Sequence, residues 1–166
     1  MPNLVARILL LMPLVLGTCR ERPDPATAFL RQHGGDDFSA FARTSLFVRS
    51  IDRRAGEARV LFYKPPSDGC TVYSYDYARQ RSRFLKSLSQ GNPRLRVASA
   101  DTALVQQFMR LNVTGLEVDP RGTVTVLVHA YSPQIKLLKT RDIGTATRPG
   151  ETYTAKGGNW YESRTE

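Results

Sequence analysis

Histidines, cysteines and clustered arginines are the residues of this chain whose types could do chemistry. There are two histidines, His33 and His129, and two cysteines, Cys19 and Cys70. A zinc site takes three or four nitrogen, sulfur or carboxylate ligands, usually closely spaced, so no metal site is expected. Serines are plentiful, but no Gly-x-Ser-x-Gly elbow is present, and Gly157-Gly158 lacks the strand-loop-helix context and the lysine of a phosphate-cradling loop. His33-Gly34-Gly35-Asp36-Asp37 resembles a ligand set at first sight. Glycine after a helix and aspartate before the next turn are, however, what two neighbouring termini require. His129 falls on the half-polar face of a strand with Thr123, Thr125, Leu127 and Tyr131, without the positioned partner that acid–base work needs. The chain therefore reads as a non-enzymatic protein without a cofactor. The alternative is a hydrolase with a cryptic site near His129.

The charge has more reach. Twenty-four Lys and Arg stand against fifteen Asp and Glu, a net charge of +9, and nineteen of the cations are arginines. Arg79, Arg81, Arg83, Lys86, Arg94 and Arg96 lie within a short span with Phe84 interleaved. Guanidinium groups bind phosphate bidentately, so this cluster is the candidate anion-binding site; its competing reading is a solvated helix face. In a cytoplasmic protein the partner would be nucleic acid.

The leader argues for a different compartment. Met1 to Arg7 carries one charge, and the apolar or small run from Ile8 to Gly17 follows without interruption. That run is too short to span a bilayer and has the length of a secretory signal's apolar region. Residues 1–18 are predicted to be a signal peptide, 19–25 a polar tether, and 26–166 a single domain. Leu16-Gly17-Thr18-Cys19 resembles the lipobox of bacterial lipoproteins, although Thr18 stands where Gly, Ala or Ser is usual. The resemblance implies that Cys19 carries a thioether-linked diacylglycerol and becomes the first residue of the mature chain. Ordinary cleavage after Gly17 would instead free Cys19 to pair with Cys70, and the two outcomes exclude each other. Lipidation is favoured, leaving Cys70 as a small half-buried residue beside a turn.

The elements behind these residues follow from pattern. Pro25 to His33 reads as a helix stopped by Gly34-Gly35, and Asp36 or Asp37 caps a turn holding Phe38 and Phe41. Leu46–Ile51, Arg59–Tyr63 and Thr71–Tyr77 read as a three-stranded meander. Tyr73, Tyr75 and Tyr77 share one face as packing or, less simply, as a binding platform. Ala78–Leu88 and Thr102–Asn112 read as helices, the second capped by Asp101, with a short strand at Leu95–Ala98 between them. Asp119-Pro120-Arg121-Gly122 is a tight turn between alternating flanks, which predicts a hairpin with Val124, Val126 and Val128 facing the core. Ile135–Leu138 and Trp160-Tyr161 add strands joined by the Gly/Thr-rich segment Gly144–Gly158.

The expected fold is α+β: a single small domain with a largely antiparallel sheet and two helices inserted between an N-terminal meander and a C-terminal hairpin. The expected protein is exported and held in a bacterial envelope by a lipid anchor, as a binding or accessory module. A soluble periplasmic or secreted form is the alternative location. Partners would be the membrane through the anchor and anionic envelope polymers, headgroups or another protein; nucleic acid is not expected. Nothing in the sequence specifies an oligomeric state.

Overall fold

The computed structural model describes residues 23–65, 69–88, 99–129, 134–146 and 150–165. The predicted leader, Cys19, the predicted strand at Leu95–Ala98 and Arg94 and Arg96 lie outside the described residues.

Helix α1 spans Pro25–His33, the predicted range. The Asp24 carboxylate accepts from the Thr27 amide, Pro25 takes the first turn where its missing N–H costs nothing, and the Gly34 amide closes on the Leu30 carbonyl. Asp37 then accepts from the Ser39 amide at 2.9 Å ahead of the 3-10 turn Ser39–Phe41, whose N-cap position is Phe38. The strands are β1 (Thr44–Asp52), β2 (Glu57–Tyr63), β3 (Cys70–Asp76), β4 (Arg81–Ser87), β5 (Gly115–Val118), β6 (Val124–His129), β7 (Gln134–Lys139), β8 (Thr154–Gly157) and β9 (Trp160–Thr165). Helix α2 spans Ser99–Arg110, between β4 and β5, and the short α3 spans Ile143–Ala146. All nine strands form one sheet in the order β4-β3-β2-β1-β5-β6-β7-β9-β8, and every described pairing is antiparallel. The α+β class stands, with the sheet dominant.

Three expectations are corrected. Ala78–Leu88 is not a helix. The Asp76 carboxylate accepts from the Arg79 amide, Gln80 takes a φ of +50°, and the chain turns back into β4. A positive φ at a non-glycine residue breaks a right-handed helix. The apolar positions Phe84, Leu85 and Leu88 mimic helical spacing because a bulge falls between the pairs Val72↔Lys86 and Tyr73↔Phe84, leaving Leu85 as the extra residue. The meander therefore has four strands, and α2 is the helix described between it and β5. Asp101 lies inside the first turn of α2, which begins three residues earlier than expected, and so does not cap it. The Gly/Thr-rich segment holds α3 and β8 rather than a plain connection.

The topology is close to a doubled unit. Each half begins with a helix and enters the sheet at its centre as β1 or β5; the first meanders outward to β4, and the second meanders to β7 and then sets β9 beside β7 with β8 at the edge. Each helix packs on the opposite half, α1 on β6 and β7, α2 on β3 and β4. Ala26 and Phe29 from α1 and Val105 and Phe108 from α2 join Leu46, Val60, Tyr73, Leu116, Val126 and Leu137 in one core, so both helices cover the same face of the sheet. Burying each of the larger side chains contributes about 1.5–3 kcal/mol. Tyr73 and Tyr75 are part of this core, while Tyr77 is exposed with its ring edge-on to Tyr75 at 5.3 Å. The tyrosine row is thus packing, not a platform. At the Asp119 turn the carboxylate accepts from the amides of Arg121 and Thr123, and Gly122 has φ +81°. Val124 and Val126 are buried and Val128 packs against the core.

A chain of charges ties the start of α1 to the last strands. Arg164 bridges Asp24 and Glu162, and Lys156 reaches Glu162 at 2.9 Å. Burial pushes the Glu162 carboxyl up, but hydrogen bonds from Arg164 and Lys156 outweigh it and hold it below glutamate's ordinary value of 4.5. A carboxyl depressed by folding stabilises in full above its ordinary value and loses that contribution as the pH falls through the depressed one. The wild-type melting temperature should therefore drop as the pH is lowered from 5 toward 3, and the drop should be shallower in Glu162→Gln, measured by circular dichroism melts.

Candidate functional site

Strand alternation leaves one set of side chains on the face opposite α1 and α2. Ladder register places Lys86, Val72, Leu61, Phe47, Gly115, Leu127 and Lys136 side by side across seven strands. The middle of this row is apolar and each end carries a lysine. Gly115 sits at its centre for a steric reason. A Cβ there would lie 2.9 Å from the Phe47 ring and 3.0 Å from a Leu127 methyl, so only glycine lets these side chains close over the backbone.

One row toward the β1–β2 turn, Arg83, Ser74, Arg59 and Ser50 are lateral neighbours. Ser74 is 4 % exposed, and its hydroxyl accepts from Arg83 Nε at 3.1 Å. Arg59 lies on the other side of Ser74, two strands from Arg83, so their backbone positions are about 10 Å apart. Two guanidinium arms of that separation can close on one phosphate or carboxylate.

The sequence-predicted cluster is thereby sorted. Arg83 and Lys86 belong to this face. Arg79 is in the turn before β4 and pairs with Asp76 at 2.8 Å. Arg81 is level with Asp76 and Glu57 in the ladder, so two acids share its row. These residues are on a strand and its turn, not on the solvated helix face expected. Arg59 was missed, although the alternation Ala58, Val60, Phe62 against Arg59, Leu61 already assigns it to the face away from the core.

Beside the basic row, a hollow of about 490 Å³ opens between β1 and β7. Phe47, Leu127 and Leu138 give its apolar part, and Glu117, Thr125, Gln134, Lys136 and Glu151 its polar part. The Lys136 side chain, 16 % exposed, donates to both Glu151 oxygens at 2.9 and 3.0 Å and stands 5.6 Å from the Tyr153 ring centroid. Tyr153 donates its hydroxyl to Glu151. Burial alone would lower the Lys136 pKa; the hydrogen bonds with Glu151 and Tyr153 reverse this and hold the ammonium protonated. Burial, helped by Glu151, raises the Tyr153 phenol, which stays a donor.

His33 Nδ1 meets the Asp36 carboxylate at 2.7 Å, and its ring lies 5.2 Å from Phe29. It closes the end of α1 and is far in sequence and register from the basic row. His129 is the last residue of β6, and its side chain lies outside the described residues. Cys70 is half-buried at the start of β3. Among the described residues no group of three or more His, Cys, Asp or Glu could hold a metal ion, and no helix is long and apolar enough to cross a membrane. Compared with known proteins, the chain matches no family model, no curated protein sequence and no solved structure.

Proposed function

We propose that this protein is an exported, lipid-anchored envelope module that holds anionic polymers or headgroups on the face of its sheet opposite the helices. The observation that carries the reading is the placement of Arg59 and Arg83 on either side of buried Ser74, with Lys86 on the next row. Arginines on paired strands of one rigid sheet are held at a fixed spacing, and Arg83 is oriented further by its bond to Ser74. No carboxylate shares the Arg83-Ser74-Arg59-Ser50 row, whereas Arg79 pairs with Asp76 and Arg81 shares its row with Asp76 and Glu57. Export, inferred from the leader and from Cys19, makes the available polyanions headgroup phosphates, lipopolysaccharide phosphates and wall polymers rather than nucleic acid.

The test is salt elution and affinity on immobilised linear polyphosphate. Arg59→Gln/Arg83→Gln should elute at clearly lower salt than Arg53→Gln/Arg54→Gln, which removes the same charge from the exposed β1–β2 turn. Affinity at physiological salt should fall about tenfold relative to that control, as expected for losing charge-assisted bonds on an exposed surface. Arg79→Gln should match wild type within the loss of one charge. Equal elution of the two double variants would remove the reading, because net charge alone would then explain retention.

A further inference from the structure

We infer that the hollow between β1 and β7 is the subsite for the uncharged, hydroxyl-rich part of the same polymer, so that the ligand class is an acidic glycan with spaced charges. This rests on the reading of Arg59 and Arg83 as anion-holding residues. The argument is one of complementarity within a single face. The two regions adjoin at Phe47 and Leu61, which are paired in the ladder, and Leu61 is two residues from Arg59 on β2. The hollow itself repels anions. Glu117, Asp119 and Glu151 line it against one lysine, and that lysine is already neutralised by Glu151. What the lining does offer is apolar surface at Phe47 and Leu127, beside the buried Leu138, and donors and acceptors at Thr125 and Gln134. A sugar ring presents the matching pair of surfaces, an apolar C–H face and a polar hydroxyl edge. The volume lies within the range of ordinary small-molecule sites. A polymer bearing charge on every unit fits the basic row but not the hollow. One bearing charge on alternate sugars fits both.

Two probes separate the two regions: a hyaluronan decasaccharide, with one carboxylate per disaccharide, and linear polyphosphate of matched charge, which has no sugar. Thr125→Ala/Gln134→Ala should bind the decasaccharide roughly tenfold more weakly, the loss of about two hydrogen bonds, and polyphosphate as tightly as wild type. Arg59→Gln/Arg83→Gln should weaken both. The conservative Thr125→Val, which keeps strand propensity, should move the decasaccharide alone and in the same direction. If the hollow variants bind the decasaccharide as wild type does while the arginine variant loses both probes, the subsite is wrong and the anion site stands. If the arginine variant loses neither, the anion site itself is wrong.

Discussion

Replacing Trp160 with alanine should lower stability by about 3–5 kcal/mol, the range for truncating a large buried aromatic. Trp160 is 3 % exposed at the first position of β9 and is the chain's only tryptophan. Its ring meets Phe29 of α1 and Phe38 of the following turn edge-on, at 5.9 and 6.1 Å. Its indole N–H donates to the Gly34 carbonyl at 2.9 Å, and Lys139 lies over the ring at 5.4 Å while donating to the carbonyls of Gly34 and Asp36. One side chain therefore holds the end of α1 and the entry to β1 against the sheet. Truncation opens a cavity and removes the donor to the Gly34 carbonyl together. For a domain of this size the melting temperature should fall by roughly 10 °C. Trp160→Phe keeps a ring but loses the donor, and should cost about 1 kcal/mol, read as a shift of about 3 °C in circular dichroism melts. A melting temperature for Trp160→Ala within about 2 °C of wild type would mean that α1 is held by something other than this indole.

That tie was not legible in the sequence, although its parts were. Pro25–His33 emerged with the right ends because Asp24, Pro25 and Gly34 are local signals, each acting within one turn. The β5–β6 hairpin emerged for the same reason, from Asp119 to Gly122. β4 did not, because a bulge shifts its apolar residues into an order that period alone cannot tell from a helix. The site is harder still. Arg59 and Arg83 are separated by two connections and a strand, and only the register of two ladders makes them neighbours of Ser74. The hollow depends on Gly115, which reads in sequence as an ordinary residue before a strand. Its meaning, the close approach of Phe47 and Leu127, is a property of three strands at once. Local chemistry was readable at Asp24–Thr27 and Asp119–Thr123, where the partner lay within four residues, but not at the equally local Asp76–Arg79 turn, which the helix-like spacing after it masked. The proposed site is built from partners much further apart.

The Cys19→Ala variant should leave the membrane almost completely, whereas wild type should stay with it through a wash in 1 M salt. The apolar run of the proposed leader, Ile8 to Gly17, is ten residues long; a helix of that length would measure about 15 Å, half of what a hydrocarbon core requires. It cannot itself hold the mature protein as a span. Two forces remain for the proposed location, and only one of them is weakened by salt. Attraction of the Arg59, Arg83 and Lys86 surface to headgroups falls away when the Debye length shrinks to about 3 Å at 1 M. Acyl chains on Cys19 would each contribute about 0.8 kcal/mol per buried CH₂, and more than one chain gives an anchor that salt does not release. A salt wash of the membrane fraction, followed by intact-mass measurement of the mature N-terminus, thus reads each force separately. Recovery of wild type in the wash as soluble protein beginning at Thr18 would exclude the anchor and leave Cys19 free for Cys70. Retention of Cys19→Ala through the same wash would exclude both forces as the source of attachment.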